Sequence, residues 1–284
     1  MAYETILYDV SDQIATITLN RPEQLNAYNT RMMDELIAAF DEAEADDGVR
    51  VVIVTGAGNR AFCSGLDLSE GADAFRFDED GASGVRRDIG GRLTLRIFDF
   101  SKPVIAAING AAVGIGATMQ LAMDIRIAAS TARYSFVFVR RGITPEAASS
   151  WFLPRLVGIQ TALDWCYSGR FVPAAEAHAA GLLHSVVEPA QLTARARAMA
   201  SEIVANAAPV SVALTRHMMW RMLGASHPME AHRIDSRTIE HATASADPQE
   251  GVAAFFEKRP PSFPGLVSRD MPPFFPWWEQ PIFR

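Results

Sequence analysis

Two stretches hold residues whose types and spacing suit chemistry. The first is Arg141-Gly142-Ile143-Thr144-Pro145-Glu146-Ala147-Ala148. Thr144 is a good helix N-cap and Pro145 suits the first helical position. Glu146 is therefore expected in the first turn, where unpaired N–H groups favour a carboxylate. Such a residue is either a dipole-stabilising surface acid or a base, and the spacing leaves both open. The second stretch is Lys102–Asp124. Val104–Ile108 is apolar and long enough for one buried strand. Asn109-Gly110 turns the chain, and Ala111–Thr118 is a run of small residues with Gly114 and Gly116 close together. Strand, turn and small-residue helix is the layout of a site built from backbone N–H groups. It is equally the layout of a buried strand and a closely packed helix.

Other chemistries fail on their spacing. Val51-Val52-Ile53-Val54-Thr55-Gly56-Ala57-Gly58 resembles the start of a dinucleotide fold, but a G-x-G-x-x-G motif needs glycine at Ala61. The only lysines are Lys102 and Lys258, and Phe98 and Ala254 stand four residues before them, so there is no Tyr-x-x-x-Lys pair. Ser64 follows Phe62-Cys63, which excludes a G-x-S-x-G elbow. His178, His184, His217, His227, His232 and His241 form no H-E-x-x-H or Cys/His cluster, so a zinc site has no support.

The elements that must position these residues alternate. Ile6–Val10 and Ile14–Leu19 read as a hairpin around Ser11-Asp12-Gln13. Met33, Leu36, Ile37 and Phe40 have helical spacing, capped by Asn29 or Thr30. Val51–Thr55 reads as a strand buried on both faces. Residues 69–92 are polar, charged and glycine-rich, which predicts a loop or loose helix, either a lid or a solvated insertion. Asp124–Ala129 is another strand, and Tyr134-Ser135-Phe136 a short extended piece. Helices are expected over Thr161–Ser168, Leu192–Asn206, Val210–Leu223, Met229–Ala244 and Pro248–Lys258, with one late strand over Leu183–Val187. An α/β amino-terminal part thus precedes a helical carboxy-terminal part. Residues 260–284 combine seven prolines with six aromatics, which predicts an extended tail docked on its own or a neighbouring subunit, with a flexible tail as the competing reading.

Composition narrows the setting. The 284 residues suit one large domain or a domain with an appendage. A net charge of −7 argues against nucleic acid or an anionic membrane as partner. Two distant cysteines make no disulfide framework. The first residues lack the pattern of a signal peptide, and segment 103–123 is too interrupted to span a membrane, so a cytoplasmic setting is expected.

Two segments together resemble paired signatures of the enoyl-CoA hydratase/isomerase, or crotonase, superfamily. They are Arg60-Ala61-Phe62-Cys63-Ser64-Gly65-Leu66-Asp67-Leu68 and Lys102-Pro103-Val104-Ile105-Ala106-Ala107-Ile108-Asn109-Gly110. Further similarity lies in Asn20-Arg21-Pro22, Leu156-Val157-Gly158, Ser168-Gly169-Arg170 and Phe255–Arg259, so it spans roughly residues 5–263. The resemblance implies an α/β fold with a spiral core of repeated ββα units over 1–205. It also implies a helical trimerisation region over 206–259, followed by the Pro/aromatic tail over 260–284. It implies a homotrimer or hexamer acting on an acyl-CoA thioester, with coenzyme A as part of the substrate and no separate cofactor. By position, the N–H groups of Leu66 and Ile115 would form an oxyanion hole. Gln24, Ala27, Ser64, Asp67 and Leu68 would run along the CoA, and Lys258 would reach its phosphates. Asp67 has a second reading as a cap of the turn.

The departures from the pattern matter as much. Hydratases of this family carry two glutamates, and the matching positions here are Thr118 and Phe138. Family isomerases that use a single acid place it after a Gly-x-x-Pro-like turn, as Glu146 is placed. The resemblance therefore implies a double-bond isomerase with Glu146 as its base. The alternatives are a hydratase, lyase or thioester hydrolase in which Glu146 works alone on water, and a non-catalytic acyl-CoA-binding protein. Phe138, Trp151 and Phe152 are expected either to narrow the acyl pocket or to belong to the core.

Overall fold

The computed structural model describes residues 3–69, 71 and 87–283. Most of the 69–92 segment, and with it the expected lid, lies outside those residues. Strands β1 (Ile6–Ser11) and β2 (Ile14–Leu19) form an antiparallel hairpin, closed by Asp12 and Gln13 at φ 53° and 62°. Two left-handed residues in succession match the right-handed twist of the paired strands. Asn29 caps helix α1 (Thr30–Ala45) by accepting from the Met32 N–H at 2.9 Å.

From here the chain repeats one pattern. Strand β3 (Val51–Gly56) is followed by β4 (Ala61–Cys63) and helix α2 (Ile89–Asp99). Strand β5 (Val104–Ile108) is followed by β6 (Ala111–Val113) and the short helix α3 (Ile115–Thr118). Strand β7 (Ile125–Ala129) is followed by β8 (Arg133–Ser135) and, after a loop, by α4 (Ser149–Val157). The first strand of each unit joins a six-stranded sheet, and the second joins a smaller sheet beside it. Helix α5 (Ile159–Ser168), β9 (Val172–Pro173), α6 (Ala174–Ala179) and β10 (Ser185–Val187) complete the core. The large sheet runs β1-β2-β3-β5-β7-β10 and the small one β4-β6-β8-β9.

Alternation along β3 and β5 explains their wholly apolar sequences. Val52, Val54, Val104 and Ala106 face the main core, and Val51, Ile53 and Ile105 face the opposite side. Helix α7 (Leu192–Asn206) covers that second face with Leu192, Ala196 and Ala200. A sheet covered on both faces needs apolar residues at successive positions.

Helices α8 (Pro209–Met222), α9 (Pro228–Thr243), α10 (Asp247–Glu257) and α11 (Val267–Asp270) follow. Arg216 of α8 is the main tie to the core. Its guanidinium pairs with Asp124 at 2.9 Å and donates to the carbonyls of Ile97 and Phe98 at 2.8 and 3.1 Å, and to that of Phe100. Those carbonyls lie at the end of α2, where the helix has few N–H donors of its own left for them. Asp124 also accepts from the Val104 N–H at 2.8 Å and from Trp220 Nε1 at 2.7 Å. The tail docks on its own chain: Phe275 and Trp278 both lie 5.0 Å from the His217 ring, and Arg221 stacks 3.9 Å over Trp278. Among the described residues no single helix is long and apolar enough to cross a membrane.

Three expectations need correction. Ala111–Val113 is a strand of the small sheet, because β4 and β8 offer it hydrogen-bonding partners on both sides. Residues 89–92 are the first turn of α2, whose Ile89, Leu93 and Ile97 are buried. The helix after Glu146 starts at Ser149, so Thr144 and Pro145 cap nothing. Arg216→Met leaves the half-buried Asp124 carboxylate without its counter-charge and several carbonyls without a side-chain donor. It is expected to lower the unfolding free energy by about 3–5 kcal/mol, measured by denaturant titration.

Candidate active site

Strands β4 and β6 are parallel neighbours, so the turns that follow them emerge side by side. Glycines make the approach possible. Gly65 (φ 108°) and Gly114 (φ 53°) take conformations that side chains rarely adopt, and a Cβ on Gly116 would lie 2.2 Å from the Cys63 carbonyl oxygen. The Gly65 carbonyl accepts from the Tyr28 N–H, and the Asp67 N–H donates to the Tyr28 carbonyl, each at 2.8 Å. Alternation along extended chain then turns the Leu66 N–H the other way, toward the cavity. Ile115 opens α3, where an N–H has no intrahelical acceptor. Among the described residues neither N–H donates to a protein acceptor.

Leu66, Ile115 and Glu146 line one cavity of about 310 Å³. Its other walls are largely apolar, including Tyr28, Ile89, Val137, Phe138 and Ile143. Glu146 is held by irregular chain. It is followed by Ala147 and Ala148 at φ 58° and 51°, both left-handed without being glycine. Each such residue costs on the order of 1–3 kcal/mol and persists only where its surroundings impose it. Helix α2 imposes it here. The Ala147 N–H donates to Asp88 Oδ1 at 3.0 Å, and Thr94 Oγ1 donates to the Ala147 carbonyl at 3.0 Å. Gly90 leaves room for the carboxylate, since a Cβ there would lie 1.9 Å from Glu146 Oε2.

Thr118 Oγ1 donates to Glu146 Oε1 at 2.6 Å. Burial nonetheless pushes the Glu146 carboxyl up to about 8, against the Thr118 hydrogen bond, which lowers it. The charge of Asp88, and a hydrogen bond to it, raise it further. The expected helix-dipole stabilisation is absent because Glu146 stands before the helix and not in it. A carboxyl poised near neutrality, sharing a largely apolar cavity with two residues whose N–H groups have no protein acceptor among the described residues, can exchange a proton at a carbon next to a carbonyl.

Residues 9–266 match the profile of the family described as Enoyl-CoA hydratase/isomerase. The chain belongs to that family. It is 44% identical over 255 residues to an enoyl-CoA hydratase of Alternaria alternata, covering 89% of this chain and 83% of that protein. It is 35% identical over 269 residues to the 1,2-epoxyphenylacetyl-CoA isomerase of Escherichia coli strain K12, covering 92% and 99%. Among solved structures, the enoyl-CoA hydratase of Bacillus anthracis superposes with a TM-score of 0.84 at 32% identity, covering 92% of this chain and 99% of that one. The chain is thus an enzyme of the hydratase/isomerase family with a crotonase-like fold.

The remaining site residues fall into two groups. Ser64 and Leu68 line the cavity, and Gln24 adjoins it, its carbonyl 3.4 Å from Ser64 Oγ. Ala27 is buried, and its carbonyl accepts from Arg21. Asp67 pairs with Arg21 at 2.7 Å and accepts from the Ser69 N–H, so its carboxylate caps the turn as in its second reading. Lys258 is exposed at the end of α10 and does not line this cavity. Phe138 lines the cavity, whereas Trp151 and Phe152 pack on Phe98 and Trp220 in the core. Sequence reasoning passed over Asp88, Gly90 and Thr94. The signal available was an N-cap Asp before Ile89, Leu93 and Ile97 at helical spacing.

The raised Glu146 value has a definite sign in stability. The folded chain keeps a proton that the unfolded chain releases above pH 4.5, so stability falls as pH rises from 4.5 to about 8 and then levels. Glu146→Gln is expected to remove a fall of roughly 3–5 kcal/mol, read from denaturant unfolding at a series of pH values. Gly90→Ala, which pushes the carboxyl out of its recess, is expected to shrink the same fall.

Proposed function

We propose that this enzyme shifts the double bond of an enoyl-CoA by proton transfer. The ionised Glu146 carboxylate removes a proton from C2 of a 3-enoyl-CoA. The electron pair moves to the thioester oxygen, and the resulting dienolate is held by the Leu66 and Ile115 N–H groups. The Glu146 carboxyl then returns the proton at C4, leaving a 2-enoyl-CoA with no atom gained or lost. One acid suffices, and no water takes part.

The observation that carries this reading is the Thr118–Glu146 contact. Where the resemblance to hydratases would put a glutamate, Thr118 supplies a hydroxyl, and that hydroxyl holds the acid borne by the next unit of the fold. Phe138 fills the second such position with an apolar ring. The apolar walls suit a hydrocarbon chain, and two aimed N–H donors suit an oxygen that gains charge. Removing one such donor typically costs ~10²–10³ in rate.

The relatives support a second reading, since several are called enoyl-CoA hydratases. There Glu146 would activate water for addition to a 2-enoyl-CoA. Assays with 3-hexenoyl-CoA and crotonyl-CoA separate the two. Isomerisation is expected to be the faster reaction, with kcat/KM rising with pH to a plateau above about 8 as Glu146 ionises. Glu146→Gln is expected to lose ~10²–10⁴ in kcat while still binding the CoA ester. Efficient hydration of crotonyl-CoA would favour the second reading, and unchanged turnover in Glu146→Gln would overturn both.

A further inference from the structure

We propose that Asp88 is the positioning residue for Glu146, holding its loop in register and setting a second carboxyl in the same cavity. The inference deepens the proposed proton-transfer reading and rests on it for its kinetic consequences. Asp88 stands at the N-cap of α2, where its Oδ1 accepts from the Gly91 N–H. An ordinary cap ends there. This one also accepts from the Ala147 N–H across 59 residues of sequence, at 3.0 Å. The residue it grips is the left-handed alanine next to Glu146. The carboxyl itself lies on the cavity wall beside Glu146.

One side chain therefore does two separable things. Its Oδ1 fixes the backbone that aims Glu146, a task an amide oxygen performs equally well. Its carboxyl also shares the largely apolar cavity with that of Glu146, and its charge raises the Glu146 carboxyl, a task an amide cannot perform. The other groups around Glu146 do not supply that charge. Thr118 donates a hydrogen bond from α3, and Gly90 presents only backbone. The Tyr28 phenol and Cys63 thiol are buried and pushed up by that burial, so both are neutral at working pH. Arg141 lines the same cavity and carries the opposite sign.

Two substitutions in the full chain test this. Asp88→Asn keeps the acceptor and removes the charge. The protonated Glu146 band, assigned in infrared difference spectra by its loss in Glu146→Gln, is expected to titrate about one pH unit or more lower than in the unmodified chain. The kcat/KM profile for 3-hexenoyl-CoA should move down in pH with it, with the plateau rate nearly kept. Asp88→Ala removes the acceptor as well, and kcat is expected to fall by ~10–10²-fold with KM little changed. An unshifted Glu146 band in Asp88→Asn overturns the inference, whatever the activity. An infrared shift without 3-hexenoyl-CoA turnover in the unmodified chain upholds the role of Asp88 and overturns the isomerase reading instead. Equal loss of rate in both substitutions with no movement of either midpoint reduces Asp88 to an ordinary helix cap, and overturns the inference.

Discussion

A carboxyl group in an apolar recess is the constraint around which this fold is arranged. Burial alone disfavours its charge, and Glu146 is held where burial is the largest influence on it. Such a group stays put only if its neighbours leave it no better place. Thr118 pins one oxygen, Gly90 makes space for the other, and Ala147 behind it is gripped at both its N–H and its carbonyl. The grips come from α2 and the pin from α3, the helices of the first and second ββα units. Glu146 itself follows the strands of the third. The repeat thus converges on one residue from three successive turns of the same architecture.

The N–H pair is produced by a different part of the same logic. Putting the first strand of each unit in the large sheet and the second in the small one makes β4 and β6 parallel neighbours. Their C-terminal ends must then share a narrow space. The missing side chains at Gly65, Gly114 and Gly116 are what allow it. The Tyr28 bridge uses the groups flanking Leu66 and leaves its N–H without a protein acceptor among the described residues. Electrostatic preorganisation of this kind needs no movement when charge develops, because the donors are already fixed by strand pairing.

How much of this was legible in the residues depended on how local each cause was. Val104–Ile108 and Leu192–Asn206 match expectation at both ends, since one is a continuous apolar run and the other a regular periodic one. That Leu66 and Ile115 share one cavity was legible because the motifs around them are contiguous. Residues 111–113 differ from expectation because alanine and valine pack in either state, and only the neighbouring strands decide. Thr144-Pro145-Glu146 carries a sound helix-start pattern, yet tertiary contacts from α2 pull Ala147 and Ala148 into left-handed backbone and delay the helix to Ser149. Strand β4 is three residues long and exists only because β6 pairs with it. Asp88 lies 58 residues from Glu146 along the chain, and no spacing rule connects them.

The support for the site extends further than its walls. Two left-handed alanines and a carboxyl that resists ionisation all weigh against the folded state, so α2 must be anchored firmly enough to hold them. Its far end supplies that anchor. Arg216 takes up the carbonyls of Ile97, Phe98 and Phe100, and Asp124 balances its charge while capping the Val104 N–H at the start of β5. One end of α2 is therefore fixed to the helical region and the other to the loop that carries Glu146. The strand whose unit supplies the Ile115 N–H is tied to the same Asp124. The helix between these ends is only 11 residues long and buried along one face, so close packing couples the Arg216 end to the Glu146 end. That places the carboxy-terminal helices among the determinants of the active-site geometry, although they contribute no residue to the cavity wall.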